Sequence, residues 1–289
     1  MTEYTGAVIE AQPDWLTVSV HSQKGVERMG ALARILQDAE RAEGNKLRKY
    51  QMMGYQGTIA GRVAYGTRDA SAAELRLSGD MAALAFDDAV ACGDRITRLD
   101  VAVTWQSPVP VPHLGMHDYL RAKAWWQDHP ASALPSRNGD AAGGFTFYLG
   151  KRASEYYFRE YNKEAQERAQ MKDRYDGRYD RCWRFELETK ASVPWALMKK
   201  LRAAEDRAEF VQGYVHTYMV GHGLTPPFLS LGGQQLVPGF RRASDADSKI
   251  AHLGKNVKPT LDWLREQGEL ERALDALGLK GSNQTHTDA

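Results

Sequence analysis

The sequence has little cysteine and no long apolar segment. Its 289 residues include only two cysteines, Cys92 and Cys182, which are too far apart for the closely spaced ligand pairs of a zinc site. Two isolated cysteines exclude a disulfide-rich scaffold and fit a reducing compartment. Because no run of about 18 apolar residues occurs, we expect no membrane-spanning helix and no membrane partner. Residues 1–9 lack the basic and apolar regions of a secretory signal, so we expect a cytoplasmic protein.

An excess of charge of either sign is also absent. The chain has 38 Lys and Arg against 37 Asp and Glu, a net charge of +1. Many nucleic-acid-binding proteins are clearly basic, so a DNA-binding surface here would have to be a local basic groove. No Walker loop is present, which gives no indication of ATP-driven work. Gly221-His222-Gly223 lacks the third glycine and the preceding strand of a dinucleotide-binding fingerprint.

The hydrophobic pattern predicts alternating strands and helices. Period-two alternation indicates strands, and apolar residues three or four apart indicate helices. Strands are predicted at residues 14–21, 55–59, 62–65, 74–78, 95–104, 145–149, 156–163 and 181–189. Helices are predicted at 25–42, 81–92, 116–128, 192–220, where Ser192 is the expected N-cap, and 259–277.

The order of these elements repeats. Residues 14–21 match 95–104, residues 62–66 match 146–150, and residues 74–78 match 183–188 in pattern. We therefore predict an α+β fold with two duplicated strand-helix-strand units, 1–93 and 94–222, the second carrying the active site. Joined edge to edge, within one continuous domain over 1–222, they give a long curved antiparallel sheet with helices on one face and a bare working face. Residues 223–289 form a C-terminal loop, helix and tail.

The strand at 156–163 carries the most suggestive chemistry. Alternation places Tyr157, Arg159, Tyr161 and Lys163 on one face. A phenolic oxygen can attack phosphorus, and Arg or Lys can hold phosphate oxygens. Tyr161 is the preferred nucleophile because Arg159 and Lys163 flank it. Tyr157 is the competing nucleophile, or it stacks on a nucleic-acid base.

Two further strands of the second unit place charges on the same predicted face. These residues are Arg98 and Asp100 on one strand, and Arg184, Glu186 and Glu188 on the other. Asp100 and Glu186 are candidate ligands for Mg²⁺ or Mn²⁺, which prefer oxygen donors. Glu188 is either a further ligand or a base that accepts the phenol proton. The alternative interpretation is a solvated sheet face whose carboxylates form surface ion pairs with Arg98 and Arg184.

Six motifs in order resemble the replication initiation factor family, which comprises initiators of rolling-circle plasmids and single-stranded DNA phages and related conjugative relaxases. They are Asp14-Trp15-Leu16-Thr17, Leu77-Ser78-Gly79, Arg98-Leu99-Asp100-Val101-Ala102, Phe147-Tyr148-Leu149-Gly150 followed by Lys151-Arg152-Ala153-Ser154, Arg159-Glu160-Tyr161-Asn162-Lys163, and Arg184-Phe185-Glu186-Leu187-Glu188. The resemblance implies a sequence-specific nicking and joining enzyme that forms a 5′-phosphotyrosine link at the origin. The family nucleophile corresponds to Tyr161.

The resemblance also implies which partners to expect. We expect origin DNA, contacted by Tyr148, Tyr157, Arg98, Arg184, Lys151 and Arg152, and consider a homodimer and a host helicase as partners in a bacterial cell. Two alternatives use the same face without catalysis. A single-stranded DNA-binding protein would stack bases on Tyr148, Tyr157 and Tyr161. A structural protein would place the polar face against another subunit.

Overall fold

The computed structural model describes residues 6–52, 54–111, 113–128, 135–139, 144–228 and 258–272. The chain forms two compact units, Met1–Val237 and Pro238–Ala289. In the described part of the smaller unit, the helix α8 spans Lys258–Glu266. No helix among the described residues is long and apolar enough to cross a membrane.

The larger unit is built on one open antiparallel sheet of ten strands. The strands are β1 (Ala7–Val20), β2 (Arg48–Met52), β3 (Tyr55–Ala60), β4 (Val63–Asp69), β5 (Ala72–Ser78), β6 (Arg95–Gln106), β7 (Pro135–Asn138), β8 (Thr146–Leu149), β9 (Tyr156–Asn162) and β10 (Cys182–Lys190). Their order across the sheet is β2-β3-β4-β5-β1-β6-β10-β9-β8-β7. The two longest strands, β1 and β6, pair at the centre, and a four-stranded meander continues outward from each of them.

Seven α-helices among the described residues of the larger unit accompany the sheet. They are α1 (Gln23–Ala42), α2 (Asp80–Leu84), α3 (Phe86–Cys92), α4 (Leu114–Asp128), α5 (Lys163–Met171), α6 (Val193–Ala203) and α7 (Arg207–Gly221). The α1 helix packs on β3, β4 and β5, α4 on β7, β8 and β9, and α7 on β1, β6 and β10. The apolar face that they cover holds fully buried side chains of every central strand, among them Leu16, Leu75, Val101, Phe158 and Phe185.

The chain order confirms the predicted duplication. Each half runs through a long strand, a helix, a four-stranded meander and closing helices. One predicted correspondence is wrong by a strand: β4 is third in its meander, so its counterpart is β9 and not β8. The short strand β7, which the sequence pattern did not reveal, completes the second meander. The division of the chain at residues 93 and 222 stays a prediction.

The helices predicted at 81–92 and 192–220 are each divided in two, the latter into α6 and α7, and the strand predicted at 156–163 ends one residue early. The helix expected at 81–92 is two short helices, α2 and α3, joined at Ala85. The strand expected to reach Lys163 ends at Asn162, whose side chain accepts a 2.9 Å hydrogen bond from the Ala165 amide and caps α5. Ser192 does occupy the N-cap position of α6, but its hydroxyl donates to Glu155 instead of capping the helix.

Candidate active site

The register of four neighbouring strands arranges the polar face in three rows. The Tyr157 row contains Tyr157, Glu188, Asp100 and Trp15, in the order β9, β10, β6 and β1. The Glu186 row contains Arg159, Glu186, Ala102 and Gln12, with Tyr148 of β8 beside Arg159. The Tyr161 row contains Tyr161, Arg184, Thr104 and Glu10. Since neighbouring rows are about 7 Å apart, contacts between adjacent rows are within reach of long side chains.

Tyr161 and Glu186 form the central contact of this face. The Tyr161 hydroxyl donates a 2.5 Å hydrogen bond to Glu186 Oε1, and Arg159 donates to Glu186 Oε2. Tyr161 is only 9% exposed and Glu186 only 2%. Burial, followed by the neighbouring Glu186 carboxylate, raises the pKa of the Tyr161 phenol well above its ordinary value. The resting phenol is therefore protonated, and the carboxylate that could accept its proton already contacts it.

Arg184 holds the other side of Glu186. Its Nε lies 3.3 Å from Glu186 Oε1, while its two terminal nitrogens contact Glu10 Oε2 at 3.0 Å and Asp14 Oδ1 at 2.5 Å. Burial lowers the pKa of the guanidinium, but Asp14 and the other acidic neighbours raise it by more. The net effect is a pKa above its ordinary value. Arg184 is predicted to contact DNA, yet it is 3% exposed and its donors are bound to protein carboxylates. In the structure, Arg184 therefore binds side chains of the protein and is not available at the surface.

Asp100 and Glu188 form an acidic pair beside the cluster of Tyr161, Glu186 and Arg184. They lie directly opposite each other on β6 and β10. The Arg98 Nη2 atom contacts both, at 2.5 Å to Asp100 Oδ2 and 2.9 Å to Glu188 Oε2, and Lys190 lies 2.5 Å from Glu188. Burial raises the pKa of Asp100 to about 7, although Arg98 acts in the opposite direction. The Arg98 guanidinium also lies 4.6 Å from the centre of the Trp15 ring.

The predicted metal pair is divided between these two clusters. Glu186 is in the row between Asp100 and Tyr161, and both of its oxygens bind Tyr161 or arginine. No group of three or more His, Cys, Asp or Glu in the described ranges has an arrangement suited to a metal ion. The donor chemistry nevertheless fits a hard cation, because two carboxylates suffice when water and substrate phosphate complete the coordination of Mg²⁺. By position that pair is Asp100 with Glu188, and Arg98 Nη2 lies against both.

Lys163 does not flank Tyr161 on the strand as expected. It begins α5, where its ammonium forms a 2.5 Å ion pair with Glu167 and lies 5.0 Å from the centre of the Tyr179 ring. Of the two cations expected to flank the phenol, the structure therefore brings only Arg159 to Glu186, the acceptor of the phenol hydrogen bond. Arg184, which was predicted to contact DNA, is the second arginine beside Glu186.

The predicted DNA-contact residues outside these clusters gather beside Tyr157. The Tyr148 and Tyr157 rings stack with centroids 5.7 Å apart and an angle of 20°. The Arg152 guanidinium lies 5.8 Å from the centre of the Tyr157 ring, and burial raises the pKa of that phenol. Lys151 and Arg152 are exposed in the turn that joins β8 to β9. This corner places the half-buried Tyr148 ring and two exposed cations beside Tyr157, which is itself only 8% exposed.

Sequence reasoning assigned no role to Glu10 or Asp14. Both acids reach Arg184 from β1, and Glu10 also accepts hydrogen bonds from Arg178 at 2.6 Å and from the Tyr179 hydroxyl at 2.9 Å. Asp14 does stand at the head of the first resembling motif, but nothing in that motif indicates a partner 170 residues away. Only the sheet register brings them together.

One family model matches part of the chain. Residues 94–222 match the family model described as replication initiation factor. One similar solved structure is that of a rolling circle replication initiator protein from Geobacillus stearothermophilus. It is 18% identical, the match covers 72% of this chain and 84% of that chain, and the TM-score is 0.45. No curated protein matches the chain. Over residues 94–222, which include Tyr161 and the acids around it, the family model thus confirms the resemblance to the replication initiation factor family.

Proposed function

We propose that this protein is a rolling-circle replication initiator that nicks and rejoins one DNA strand at an origin through a 5′-phosphotyrosine intermediate. The observation that supports this proposal most directly is the 2.5 Å hydrogen bond from the Tyr161 hydroxyl to Glu186. It lies within the segment that matches the replication initiation factor family. A protonated phenol, a contacting carboxylate and two adjacent arginines are the groups that a transesterification needs.

The reaction begins with proton transfer from Tyr161 to Glu186. The phenolate oxygen attacks the scissile phosphorus, the bond from phosphorus to the 3′ oxygen breaks, and that oxygen takes up the proton that Glu186 accepted, relayed through water. The products are a 5′-phosphotyrosine and a free 3′-hydroxyl that can prime synthesis. Arg159 and Arg184 already contact Glu186. The partly exposed Arg159 would balance charge on the phosphate, and the buried Arg184 would balance charge on the phenolate. The reverse sequence of steps rejoins a strand.

Asp100 and Glu188, which lie opposite each other on β6 and β10, would hold Mg²⁺ or Mn²⁺. When bound, such an ion polarises a phosphodiester and neutralises its charge. The stacked Tyr148 and Tyr157 rings, together with Lys151 and Arg152, would hold the single-stranded DNA next to the nick. Origin DNA is the proposed partner. A homodimer, a host helicase and a cytoplasmic location stay predictions.

The test is covalent capture. Full-length protein is incubated with Mg²⁺ and a library of circular single-stranded DNA, and adducts that survive denaturing detergent are digested and analysed by mass spectrometry. We expect a nucleotide on Tyr161, and no adduct from Tyr161→Phe. The matched control is Tyr65→Phe, since Tyr65 lies on β4, the counterpart of β9. An undiminished adduct from Tyr161→Phe would exclude this nucleophile, and a nucleotide on Tyr157 would identify the competing one.

Two other functions share the same face. A conjugative relaxase would use the same Tyr161 chemistry on a transfer origin. A single-stranded DNA-binding protein without catalysis is favoured by the Tyr148 and Tyr157 stack, because aromatic platforms bind bases irrespective of sequence. The latter predicts salt-sensitive binding with no covalent adduct from the unmodified protein.

A further inference from the structure

A bulge in β1 takes Asp14 out of the regular ladder with β6. Pro13 of β1 is opposite Val101 of β6, and Trp15 of β1 is opposite Asp100, the neighbour of Val101 on β6. Asp14, between Pro13 and Trp15, therefore has no opposite residue on β6. A β-bulge of this kind redirects a side chain. The Asp14 carbonyl oxygen finds its partner outside that ladder, where it accepts a 2.7 Å hydrogen bond from the Gly79 amide. The backbone oxygen of Asp14 is therefore hydrogen-bonded although the residue lies in the bulge.

The redirected side chain reaches across β6 to β10. Asp14 Oδ1 accepts a 2.5 Å hydrogen bond from Arg184 Nη2, although the two residues lie two strands apart, a separation of about 10 Å between backbones. The intervening strand offers the small side chains Ala102 and Thr104 at the crossing. The Thr104 hydroxyl accepts a 2.6 Å hydrogen bond from Arg184 Nη1. The guanidinium is therefore enclosed, oriented and directed toward β1.

Asp14 differs from the second acid on Arg184. Glu10 shares its carboxylate among Arg178, Tyr179, Thr104 and Arg184, so it ties the first strand to the segment before β10. Asp14 binds the terminal nitrogen of Arg184 that is on the opposite branch from Glu10. Together the two acids bind both terminal nitrogens of the Arg184 guanidinium. The remaining nitrogen, Nε, lies 3.3 Å from the Glu186 oxygen that accepts the Tyr161 hydrogen bond.

We propose that Asp14 is a positioning residue of the active site, which acts through Arg184 to fix the Glu186 carboxylate against the Tyr161 hydroxyl. This inference rests on the proposed nicking function for its catalytic meaning. Asp14 lies outside residues 94–222, the segment that matches the family model. The active site therefore extends into the first half of the chain, and the central β1–β6 pair joins the acid to the reacting groups.

The physical reason is the geometry required for proton transfer. Loss of the Asp14 carboxylate frees one branch of a buried guanidinium, which can then rotate toward Glu186 or toward Glu10. Either rotation moves the acceptor oxygen relative to the phenol. A misplacement of about 1 Å in a reacting constellation can cost a hundredfold in rate without changing how tightly substrate binds.

The experiment compares Asp14→Ala and the isosteric Asp14→Asn with the wild-type full chain. The matched control is Glu74→Gln, because Glu74 on β5 also forms a buried ion pair with an arginine, Arg76, at 2.6 Å. Single-turnover nicking is measured on an oligonucleotide recovered from the capture experiment, and its dissociation constant is measured by fluorescence anisotropy in a Tyr161→Phe background. Independently of activity, NMR follows the Arg184 Nε–H signal, which is assigned by its loss in Arg184→Met.

We expect Asp14→Ala to slow nicking by at least about tenfold, with Asp14→Asn intermediate and DNA affinity changed less than twofold. The Arg184 signal should shift or broaden in both Asp14 variants and remain unchanged in Glu74→Gln. A nicking rate within twofold of wild type, or a loss confined to DNA affinity, would overturn the inference. If the wild type forms no adduct, the proposed function fails, and an unchanged Arg184 signal in Asp14→Asn would separately overturn the link between Asp14 and Arg184.

Discussion

The Tyr161 hydroxyl binds Glu186 diagonally across β9 and β10, because the residue directly opposite Tyr161 is Arg184. The diagonal brings one carboxylate into contact with the phenol and keeps Glu188, the base considered from sequence, one row further away beside Tyr157. Glu188 contacts Arg98 and Lys190 instead. The geometry therefore favours Glu186 as the acceptor of the phenol proton.

Glu186→Gln should slow single-turnover nicking by about 10²–10⁴-fold, the usual contribution of a general base. The amide keeps nearly the same shape but cannot take the proton. Binding of the same oligonucleotide, measured by anisotropy, should change little, since Glu186 is 2% exposed. Circular dichroism with temperature checks folding, because Arg159 and Arg184 lose their carboxylate partner. If Glu186→Gln nicks normally while Glu188→Gln does not, the base is Glu188.

The faces of the central strands were predictable from sequence. Alternation of Leu99, Val101 and Val103 with Asp100, and of Phe185 and Leu187 with Glu186, places the apolar set in the core and the acids on the other face, as the structure has them. Hydrophobic burial fixes strand phase, because a slip of one residue would expose the whole apolar set. The strand pattern favoured Tyr161 as the nucleophile, and the family motifs correspond to the same residue.

The pairing between strands was not predictable. The sequence gathers Asp100, Glu186 and Tyr161 on one face but says nothing about register, which places Asp100 opposite Glu188, two rows from Tyr161. The bulge at Asp14 has no pattern that marks it, so its contact with Arg184 was missed. The alternative interpretation of a solvated face does not describe Asp100, Arg184 and Glu186, which are buried because the acids and arginines of this face cover one another.

Replacing Arg98 should strengthen binding of a divalent cation. Asp100 and Glu188 are directly opposite each other, and Arg98 Nη2 contacts both carboxylates. Opposed like charges repel, so removal of the guanidinium leaves a pair that favours another cation. In Arg98→Gln we expect the dissociation constant for Mn²⁺, measured by electron paramagnetic resonance without DNA, to fall by about tenfold, equivalent to about 1.4 kcal/mol.

The control for the Mn²⁺ titration is Arg76→Gln. Arg76 pairs with Glu74 at 2.6 Å on the same sheet face, but on β5. Loss of this arginine changes the net charge equally and should leave Mn²⁺ affinity nearly constant. Equal affinity in Arg98→Gln and the wild type would mean that Asp100 and Glu188 do not form the cation site. Weaker binding would mean that Arg98 organises the pair instead of competing for it.

The last prediction concerns two acids on the apolar side of β9. Glu160 is fully buried between Phe147 and Phe185 of the neighbouring strands, and it meets Asp118 of α4, which is 1% exposed. Burial raises the pKa of Glu160 well above its ordinary value, and Asp118 raises it further. Burial also raises the pKa of Asp118, while contact with Glu160 and the nearby His117 and Arg121 lower it. The raised pKa values favour a protonated form of this pair in the folded protein.

Because these folded-state pKa values are raised, the unfolded chain loses protons first as pH rises above its own carboxyl pKa values. The free energy of unfolding then falls with pH, by about 1.4 kcal/mol per pH unit for each extra proton held by the folded state. Glu160→Gln needs no proton and can donate to Asp118, so chemical denaturation should show it gaining stability relative to wild type from pH 5 to pH 8. The control Glu40→Gln removes a buried acid that has a cation, Arg62, at 2.6 Å, and should lose stability at pH 8. A Glu160→Gln variant less stable than wild type by the same amount at both pH values would show that the pair shares no proton, and that Glu160 contributes through packing against α4 alone.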